Sequence, residues 1–480
     1  MSTAIMNKMS EFDVIISGGG LSGLLTAIGL INETPELSIA IIEPVSQPSL
    51  DAVPNDFKSS DFKSNDFKSD TAAQELNQHS NQISEQSQTV NFDDRCLALS
   101  YGSLQLLNHW QVWESLKPSA WPIKTIVTSD RGHLGKTIMR SHQYNLNAMG
   151  YVAAMKNMGR AFTTTLNELQ AALQSNESNK QQVTWYKPNT IKQLSQYPDH
   201  IKVVLDDEQT LHGKLLVVAE GGMSPTRQKL NISTSTEAYQ QNAIIANIKV
   251  TKNNKVNSVL ASKDSGDSNT KDTQPQLDGH TAFERFTTSG PIAFLPINKD
   301  EYSVVWCVKP EDVDNIMALQ ESEFCQQLQN AFGQAAGIIT KTSKRESYPL
   351  GLTKAQSIIS DRVALVGNSA HTIHPIAGQG FNLGLRDVAS LVKQIKVAVD
   401  SSVNKSQNDI GSFATLNNYQ AARQHDINRI AGFTDLLVRM FGLEGRLPAL
   451  TRTLGLLALQ KVSSLQQWFA LHFMSSKTLK

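Results

Sequence analysis

The residues between Gly367 and Asp387 have types and spacing suited to binding an anion. The segment reads GNSAHTIHPIAGQGFNLGLRD, so glycines, a proline and paired amides separate an apolar run over 362–366 from apolar residues at helical spacing. A glycine-rich turn lets backbone N–H groups approach a ligand closely, and the helix that follows points its positive end at the same place. The pattern predicts a strand, a turn and a helix that hold an anion, or a ring that becomes anionic. An ordinary strand-to-helix connection is the alternative.

A second set of glycines lies near the start of the chain. Gly18, Gly20 and Gly23 follow an apolar run over 12–17 and have the spacing G-x-G-x-x-G. Glu43 ends the next apolar run. In this strand–turn–helix–strand context the glycines are typical of a site for an ADP moiety, and the acid accepts a hydrogen bond from a ribose hydroxyl. The acid favours an unphosphorylated ribose, as in FAD or NAD. A glycine-rich turn without a ligand is the alternative.

A third candidate turn follows the apolar run over 215–219. The sequence continues EGGMSPTR, which places Glu220, Ser224 and Arg227 after a buried strand. This arrangement indicates another approach of the backbone to a ligand, and a strand-end turn with a surface arginine is the alternative. Arg95 precedes an apolar segment, where it would be either a charge-assisted donor to a pyrophosphate or a solvated surface charge.

The elements that position these turns alternate between strand and helix. Apolar runs predict strands over 12–17, 37–42, 183–187, 201–205, 214–219 and 362–366. Helical spacing predicts helices over 24–31, after residue 155 and over 413–475. Alternating segments between 243 and 350 indicate a sheet with one buried face. At 480 residues the chain is long enough for two or three domains.

Composition argues against several classes of function. Lysine plus arginine and aspartate plus glutamate each number 44, so no basic field is available for nucleic acid. Cys96, Cys307 and Cys325 are widely spaced, which argues against a disulfide framework or a zinc site and indicates a reducing cytoplasm. His371 and His374 lie on a glycine-rich turn without a carboxylate neighbour, so we expect no metal there. We also expect neither a signal peptide nor a membrane-spanning run.

Several segments are predicted to lie outside the folded cores. The repeated DFKS motif and the Gln/Ser/Asn-rich tract over 46–91 cannot bury enough apolar surface to offset their ordering entropy, which predicts a disordered insertion. Residues 251–278 are predicted to form a second polar loop, and 394–412 a polar linker. The basic, aromatic-bearing segment 433–475 indicates either contact with a membrane surface or packing on its own domain or a partner.

Together the three turns resemble the fingerprints of the class A flavoprotein monooxygenases. In that family the second motif has the form D-G-x-x-S-x-x-R and the third G-D-x-A-H-x-x-x-P-x-x-G-Q-G-x-N. The resemblance implies an α/β fold of the para-hydroxybenzoate hydroxylase type: a Rossmann-like FAD-binding domain, an interleaved sheet-rich substrate domain and a C-terminal helical region. The implied bounds are 11–117, 151–235 and 350–400 for the discontinuous FAD-binding domain, 118–150 and 236–349 for the substrate domain, and 401–480 for the helical region.

The resemblance narrows to the ubiquinone-biosynthesis hydroxylases through shorter segments. They are Asp94-Arg95, SDRGH over 129–133, FERFT over 283–287 and HPIAGQGFNLG over 374–384. The resemblance also implies a role for each matching residue. The adenosine end of FAD would be held by Gly18, Gly20, Gly23 and Glu43, and the phosphate–ribityl region by Arg95. Gly367 and Asn368 would approach the ribityl and pyrophosphate. The residues that would surround the isoalloxazine are Pro375, Gly378, Gln379, Gly380 and Asn382. Asn368 and Glu220 both depart from the aspartate that the family motifs carry.

The chemistry that the resemblance implies is FAD-dependent hydroxylation of a polyprenylated phenol, with NAD(P)H and O2 as co-substrates. A C4a-hydroperoxyflavin would convert 2-polyprenyl-6-methoxyphenol to the benzoquinol in ubiquinone biosynthesis. Backbone N–H groups near 378–382 would stabilise the negative charge of reduced flavin. Only one dinucleotide fingerprint is present, so NAD(P)H is expected to dock transiently. The alternatives are hydroxylation at another ring position, reduction of prenyl chains, or a flavin-binding subunit without turnover.

The implied partners and location follow from that chemistry. The expected partners are the polyprenylated phenol, O2 and other ubiquinone-biosynthesis proteins, without nucleic acid. The expected location is cytoplasmic, with peripheral contact on the inner membrane through 433–475. No catalytic side chain for the phenol proton is identified from the sequence.

Overall fold

The computed structural model describes residues 9–45, 95–132, 136–174, 183–251, 279–373, 378–401 and 409–442, and the statements below concern these ranges. The predicted insertion over 46–91 and nearly all of the predicted loop over 251–278 lie outside them. Pro375, His374 and most of the predicted membrane-contact segment 433–475 also lie outside.

A mixed sheet of eight strands carries the three predicted turns. Numbered in chain order through the whole fold, its strands are β1 (Met9–Ser17), β2 (Ile39–Ile42), β8 (Val183–Tyr186), β9 (Ile191–Gln196), β10 (Ile201–Leu205), β11 (Thr210–Val218), β18 (Ile359–Ser360) and β19 (Val363–Leu365). β1 lies parallel between β2 and β11, β11 is parallel to β19, and β2 is parallel to β8. The centres of β1, β2 and β11 are buried apolar runs, as expected when helices cover both faces of a parallel sheet.

Helices cover this first sheet. The long ones are α1 (Leu21–Glu33), α4 (Met155–Gln174), α8 (Gln379–Asp400) and α9 (Phe413–Gly442), and the short ones are α2 (Tyr101–His109), α3 (Trp113–Leu116) and α5 (Pro225–Lys229). α1 packs against both α4 and α8, and α9 packs along α8. Most of α1 is buried, which explains why its sequence is apolar on nearly every side.

A second sheet of nine strands has its own core. Its strands are β5 (Thr125–Asp130), β6 (Lys136–Arg140), β12 (Thr234–Thr251), β13 (Thr281–Thr287), β14 (Gly290–Pro296), β15 (Glu301–Val308), β16 (Ile338–Thr342), β17 (Glu346–Ala355) and β20 (His371–Thr372). One face packs on α7 (Glu321–Phe332), which follows α6 (Pro310–Ala318). Phe294 of β14 stacks on Phe332 of α7 with ring centroids 3.7 Å apart. A small third sheet contains β3 (Cys96–Ser100), β4 (Trp121–Ile123) and β7 (Gly150–Ala154).

The structure corrects one expectation from the sequence. Residues 394–400 are not a linker, because α8 continues to Asp400 with Ile395 and Val399 buried. The sheet with one buried face expected between 243 and 350 is confirmed, and its buried face is covered by α6 and α7. The domain bounds stay a prediction, and β17 crosses the expected boundary at residue 350. In the part of the chain described, no helix has both the length and the apolar composition needed to cross a membrane.

Candidate functional site

A cavity of about 820 Å³ lies where the two large sheets face each other. The carboxyl ends of β1, β2, β11 and β19 meet along one edge of the first sheet, which is where ligands bind in open α/β sheets. The opposite wall is the face of the second sheet that is turned away from α7. Most of the predicted cofactor residues line this cavity: Gly18, Gly20, Glu43, Arg95, Gly367, Asn368, Gly378 and Gly380.

The first turn joins β1 to α1 and leaves the start of that helix open to the cavity. Gly18 has φ +105°, and a Cβ there would lie 2.7 Å from the carbonyl oxygen of Ala219. Gly20 is the N-cap of α1, and no described side chain caps the helix. Gly23 does not line the cavity but packs against the turn, where a Cβ on it would lie 1.9 Å from the backbone oxygen of Gly18. Gly23 therefore lets α1 pack on the turn, whereas Gly20 leaves space for a ligand.

Glu43 brings a carboxylate beside this turn from the end of β2. Its side chain is buried, and Oε2 accepts a hydrogen bond from the backbone N–H of Gly19 at 2.6 Å. Burial lowers the pKa of the neighbouring Lys187, and the Glu43 charge opposes that shift. The carboxylate is thus held where it can also accept from a ligand hydroxyl.

The second turn is hydrogen-bonded to the third turn. Glu220 accepts hydrogen bonds from the hydroxyls of Ser17, Ser224 and Thr226 and from the N–H of Thr226. Arg227 is buried and donates to the carbonyl oxygens of Ser369, at 2.9 Å, and Gly222, at 2.8 Å. The longer side chain of Glu220 is therefore accommodated by three hydroxyl donors.

The third turn packs directly against the starts of α1 and α8. Gly367 has φ +60°, and a Cβ there would lie 2.6 Å from Ser22 Oγ. Its N–H donates to Asp387 Oδ2 at 3.1 Å. Asn368, next along the chain, is exposed and faces the cavity. The turn thus presents backbone groups and one amide side chain to the cavity.

The start of α8 is the second uncapped helix N-terminus at this cavity. Its N-cap is Gly378, in the left-handed region at φ +61°, and no described side chain caps it. Asn382 donates to the carbonyl oxygens of Gly378, at 2.7 Å, and Ala98, at 2.8 Å, and accepts from Ser100 N–H and Ser103 Oγ. Asn382 and Gln379 do not line the cavity. Asn382 therefore positions the start of α8.

A buried ion-pair network supports the third turn from behind. Asp387 of α8 is fully buried and accepts from His371 Nε2 at 2.6 Å and from Arg423 Nε at 2.8 Å. Burial disfavours its ionisation, but His371 and Arg423 outweigh this effect and lower the pKa of Asp387. The hydrogen bond from Arg423 to Asp387 ties α9 through α8 to the third turn, and Arg423 also donates to Asp426, three residues along its own helix, at 2.8 Å. His371 belongs to this network, and in the described ranges no group of three or more His, Cys, Asp or Glu side chains is arranged to hold a metal.

The network predicts a specific acid sensitivity. Burial opposes ionisation of Asp426, but Arg386, Arg423 and Arg429 hold its pKa at about 2. Because this value lies below that of the unfolded chain, the carboxylate stabilises the fold above about pH 4 and loses this effect as pH falls towards 2. We expect the difference in unfolding free energy between wild type and Asp426→Asn to shrink by about 1 kcal/mol from pH 5 to pH 3. Urea unfolding at both pH values measures it, and a constant difference would contradict the expectation.

Comparison with known proteins identifies the family. The family model described as FAD binding domain matches residues 71–407. The chain belongs to the FAD-binding domain family. Ubiquinone hydroxylase UbiL of Rhodospirillum rubrum is 30% identical over 391 residues, covering 81% of this chain and 81% of that protein. Ubiquinone biosynthesis monooxygenase COQ6 of Mus musculus is 26% identical over 495 residues, covering 95% of this chain and 89% of that protein.

Solved structures confirm the fold class predicted from the sequence. p-Nitrophenol 4-monooxygenase PnpA of Pseudomonas putida DLL-E4 has a TM-score of 0.67 at 13% identity, covering 98% of this chain and all of that one. PqsL of Pseudomonas aeruginosa has a TM-score of 0.65 at 16% identity, covering 93% of this chain and 100% of that one. This member of the FAD-binding domain family is an FAD-dependent monooxygenase, as the sequence predicted, and NAD(P)H is the co-substrate typical of the family.

The geometry of this FAD-binding protein fits its cofactor. Two uncapped helix N-termini at one cavity suit a pyrophosphate and the electron-rich edge of a flavin. Three features of the site were not predicted from the sequence. Tyr348 lines the cavity with its ring centroid 5.1 Å from the Arg95 guanidinium carbon, Arg423 supports the third turn, and Glu284 lines the far wall. Glu284 lies in the FERFT segment that the resemblance had already singled out, whereas the others join residues far apart in the chain.

Proposed function

We propose that this chain hydroxylates the ring of a polyprenylated phenol in ubiquinone biosynthesis. The specific reaction proposed is conversion of 2-polyprenyl-6-methoxyphenol to the benzoquinol. The observation that carries the proposal is one cavity lined by the glycine turns at one end and by an apolar sheet face at the other. The relatives support the pathway, since UbiL is a ubiquinone hydroxylase and COQ6 is a ubiquinone biosynthesis monooxygenase.

Each cofactor residue has a proposed role that its position supports. Gly18, Gly20 and Glu43 would hold the adenosine end, with Gly23 allowing α1 to approach. Arg95 would bind the phosphate–ribityl region. The residues that would surround the ribityl and the isoalloxazine directly are Gly367, Asn368, Gly378 and Gly380. Gln379 and Asn382 would act by positioning the start of α8. Pro375 keeps its proposed role but lies outside the described residues.

The far wall suits a hydrophobic aromatic ring. Ala243, Ile245, Ala293, Val305 and Leu295 line it, so the ring would bind against apolar carbon on a rigid sheet. When bound, FAD reduced by NAD(P)H would supply an electrophilic oxygen atom from O2 as a C4a-hydroperoxyflavin. The proposed balance is phenol, O2, NAD(P)H and a proton giving the hydroxylated ring, NAD(P)⁺ and water. The protein's part is to position the ring and exclude water.

The test is turnover by purified protein saturated with FAD. We expect NAD(P)H oxidation to rise at least tenfold when 2-prenyl-6-methoxyphenol is added, and ¹⁸O from ¹⁸O2 to appear in the ring product, measured by mass spectrometry. A methoxyphenol with the reactive position blocked by a methyl group is the matched control and should give no hydroxylated product. Oxidation that no phenol stimulates would overturn the proposal. If ¹⁸O appears at another carbon of the ring, the proposed ring position is wrong and the proposed phenol hydroxylation stands.

The location and assembly of the enzyme are proposed on the same chemistry. A polyprenylated substrate partitions into lipid, so we propose a cytoplasmic enzyme in peripheral contact with the inner membrane through 433–475. Leu436, on the described part of α9, is 57% exposed. A complex with other ubiquinone-biosynthesis proteins would pass such a substrate between active sites. Most of the segment 433–475 lies outside the described residues.

A further inference from the structure

The substrate wall of the cavity carries an acidic side chain of its own. Three carboxylates line the cavity among the described residues, and two of them, Glu43 and Glu220, lie at the strand ends of the first sheet. The third is Glu284, in the middle of β13 of the second sheet. Its neighbours in register are Ala293 on β14 and Thr128 on β5. The carboxylate therefore lies on the wall proposed to hold the aromatic ring, away from the glycine turns.

The strand alternation separates Glu284 from the residues on either side of it. Phe283 packs edge-on against Phe332 in the core beneath the sheet, with ring centroids 5.8 Å apart. The Arg285 guanidinium lies beside Gly333, at the end of α7, on that same side. Glu284 and Arg285 are adjacent in sequence but face opposite sides of the sheet.

The sheet around Glu284 is apolar and has small side chains. Across the strands in register, Glu284 is followed by Ala293, Val305 and Ile245, all of which line the cavity. Ala293 is a small residue, so a planar ring can lie on the sheet with its edge towards the carboxylate. Burial, and then the charge of Glu284, raise the pKa of the Cys307 thiol on β15. The charge of Glu284 therefore acts on a residue of β15, two strands away.

We propose that Glu284 accepts the hydrogen bond and then the proton of the substrate's ring hydroxyl. This inference rests on the proposed phenol hydroxylation. The phenol O–H bond breaks, its electron pair stays on the ring oxygen, and the proton forms a new O–H bond on the carboxylate. The phenolate ring is more electron-rich at its ortho and para carbons, which favours attack on an electrophilic oxygen. The ring carbon that received the oxygen then loses its hydrogen as a proton to solvent, and the ring oxygen regains a proton from Glu284, which restores the carboxylate.

The test compares Glu284→Gln with a matched control on the same sheet. General base catalysis contributes about 10²–10⁴-fold, so we expect kcat for the phenol to fall about 100-fold or more in Glu284→Gln. The control is Glu301→Gln on β15, outside the cavity lining, which should keep the wild-type kcat. FAD content should be unchanged in both variants.

Two further measurements separate a catalytic role from a structural one. The deficit of Glu284→Gln should shrink as pH approaches the pKa of the phenol, and with fluorinated phenols of lower pKa, because those substrates ionise unaided. Other titratable residues lie nearby: Tyr348 and Arg95 line the same cavity, and Cys307 lies on β15. All three are present in both the wild type and the variant, so they do not account for a difference between the two pH profiles. Ultraviolet difference spectra of bound phenol, taken without NAD(P)H, should show the red shift of a phenol hydrogen-bonded to a carboxylate with the wild type and a smaller shift with Glu284→Gln.

The outcomes are distinguishable. If the wild type hydroxylates the phenol and Glu284→Gln does so equally, or loses rate equally at every pH, the Glu284 inference is overturned and the proposed function stands. If the wild type hydroxylates no phenol, the proposed function fails, and the difference spectrum still decides whether Glu284 accepts a hydrogen bond from a bound phenol. Should Glu284→Gln bind FAD poorly, Glu284→Ala with added formate serves instead. Restored turnover supports the inference, and absence of rescue in a folded, flavin-loaded variant counts against it.

Discussion

Arg423→Met should lower the free energy of unfolding by about 3–5 kcal/mol, which is the usual cost of removing one partner from a buried ion pair. Arg423 is buried and donates to Asp387 and Asp426, both at 2.8 Å. Methionine keeps the apolar stem but leaves the fully buried Asp387 carboxylate with fewer donors. Because Asp387 also accepts from Gly367 N–H, flavin affinity should fall as well. Urea unfolding and flavin fluorescence titration measure the two effects.

A neighbouring arginine provides the control for this experiment. Arg429 donates to the same Asp426 at 2.8 Å, but its side chain is 42% exposed. An exposed ion pair contributes about 0.2–1 kcal/mol, so Arg429→Met should cost under about 1 kcal/mol and leave flavin affinity unchanged. Equal losses in the two variants would show that burial of Arg423 does not determine the energy.

Gly23→Ala should be the most damaging single-methyl change at the first turn. Its Cβ would lie 1.9 Å from the backbone oxygen of Gly18, which cannot move aside as a flexible side chain does. Overpacking of this kind costs about 1–3 kcal/mol, and α1 must shift away from β1 to relieve it. We expect a lower thermal midpoint for the flavin-free protein, together with loss of bound FAD, measured by differential scanning fluorimetry and absorbance.

Gly20→Ala is the matched comparison in the same turn. A Cβ on Gly20 meets no described atom within 4 Å, and Gly20 lines the cavity. Replacing glycine by alanine at an N-cap costs under about 1 kcal/mol, so the flavin-free protein should stay nearly as stable as the wild type. Flavin affinity should still fall, because the new methyl occupies ligand space. Identical stability losses in Gly20→Ala and Gly23→Ala would contradict the separate roles assigned to these glycines.

The turns could be predicted because their signals are local. Gly18, Gly367 and Gly378 all adopt positive φ, which few other residues tolerate, so the backbone geometry is visible in the residue type itself. The flanking apolar runs then indicate the strands and helices on either side. The different roles of Gly20 and Gly23 could not be predicted from the sequence, because they depend on how α1 packs against the turn.

The supporting network could not be predicted because its partners are distant in the chain. Arg423 and Asp387 are 36 residues apart on different helices, and nothing in the spacing of either segment pairs them. The helix α7 was missed for a different reason. Its buried residues Phe324, Leu328 and Phe332 recur every four positions, and Gln320 and Glu323 form a capping box. That helical signal was overlooked among the neighbouring strands.

The order of elements in the first sheet has a consequence for biosynthesis. β19 and the Gly367 turn complete an edge that begins with β1, and the Asp387 carboxylate behind that turn is held by Arg423. A ribosome therefore has to release the chain to beyond residue 423 before the cofactor cleft can close. FAD uptake is consequently a late event in synthesis, and nascent chains cut short of that helix should emerge colourless.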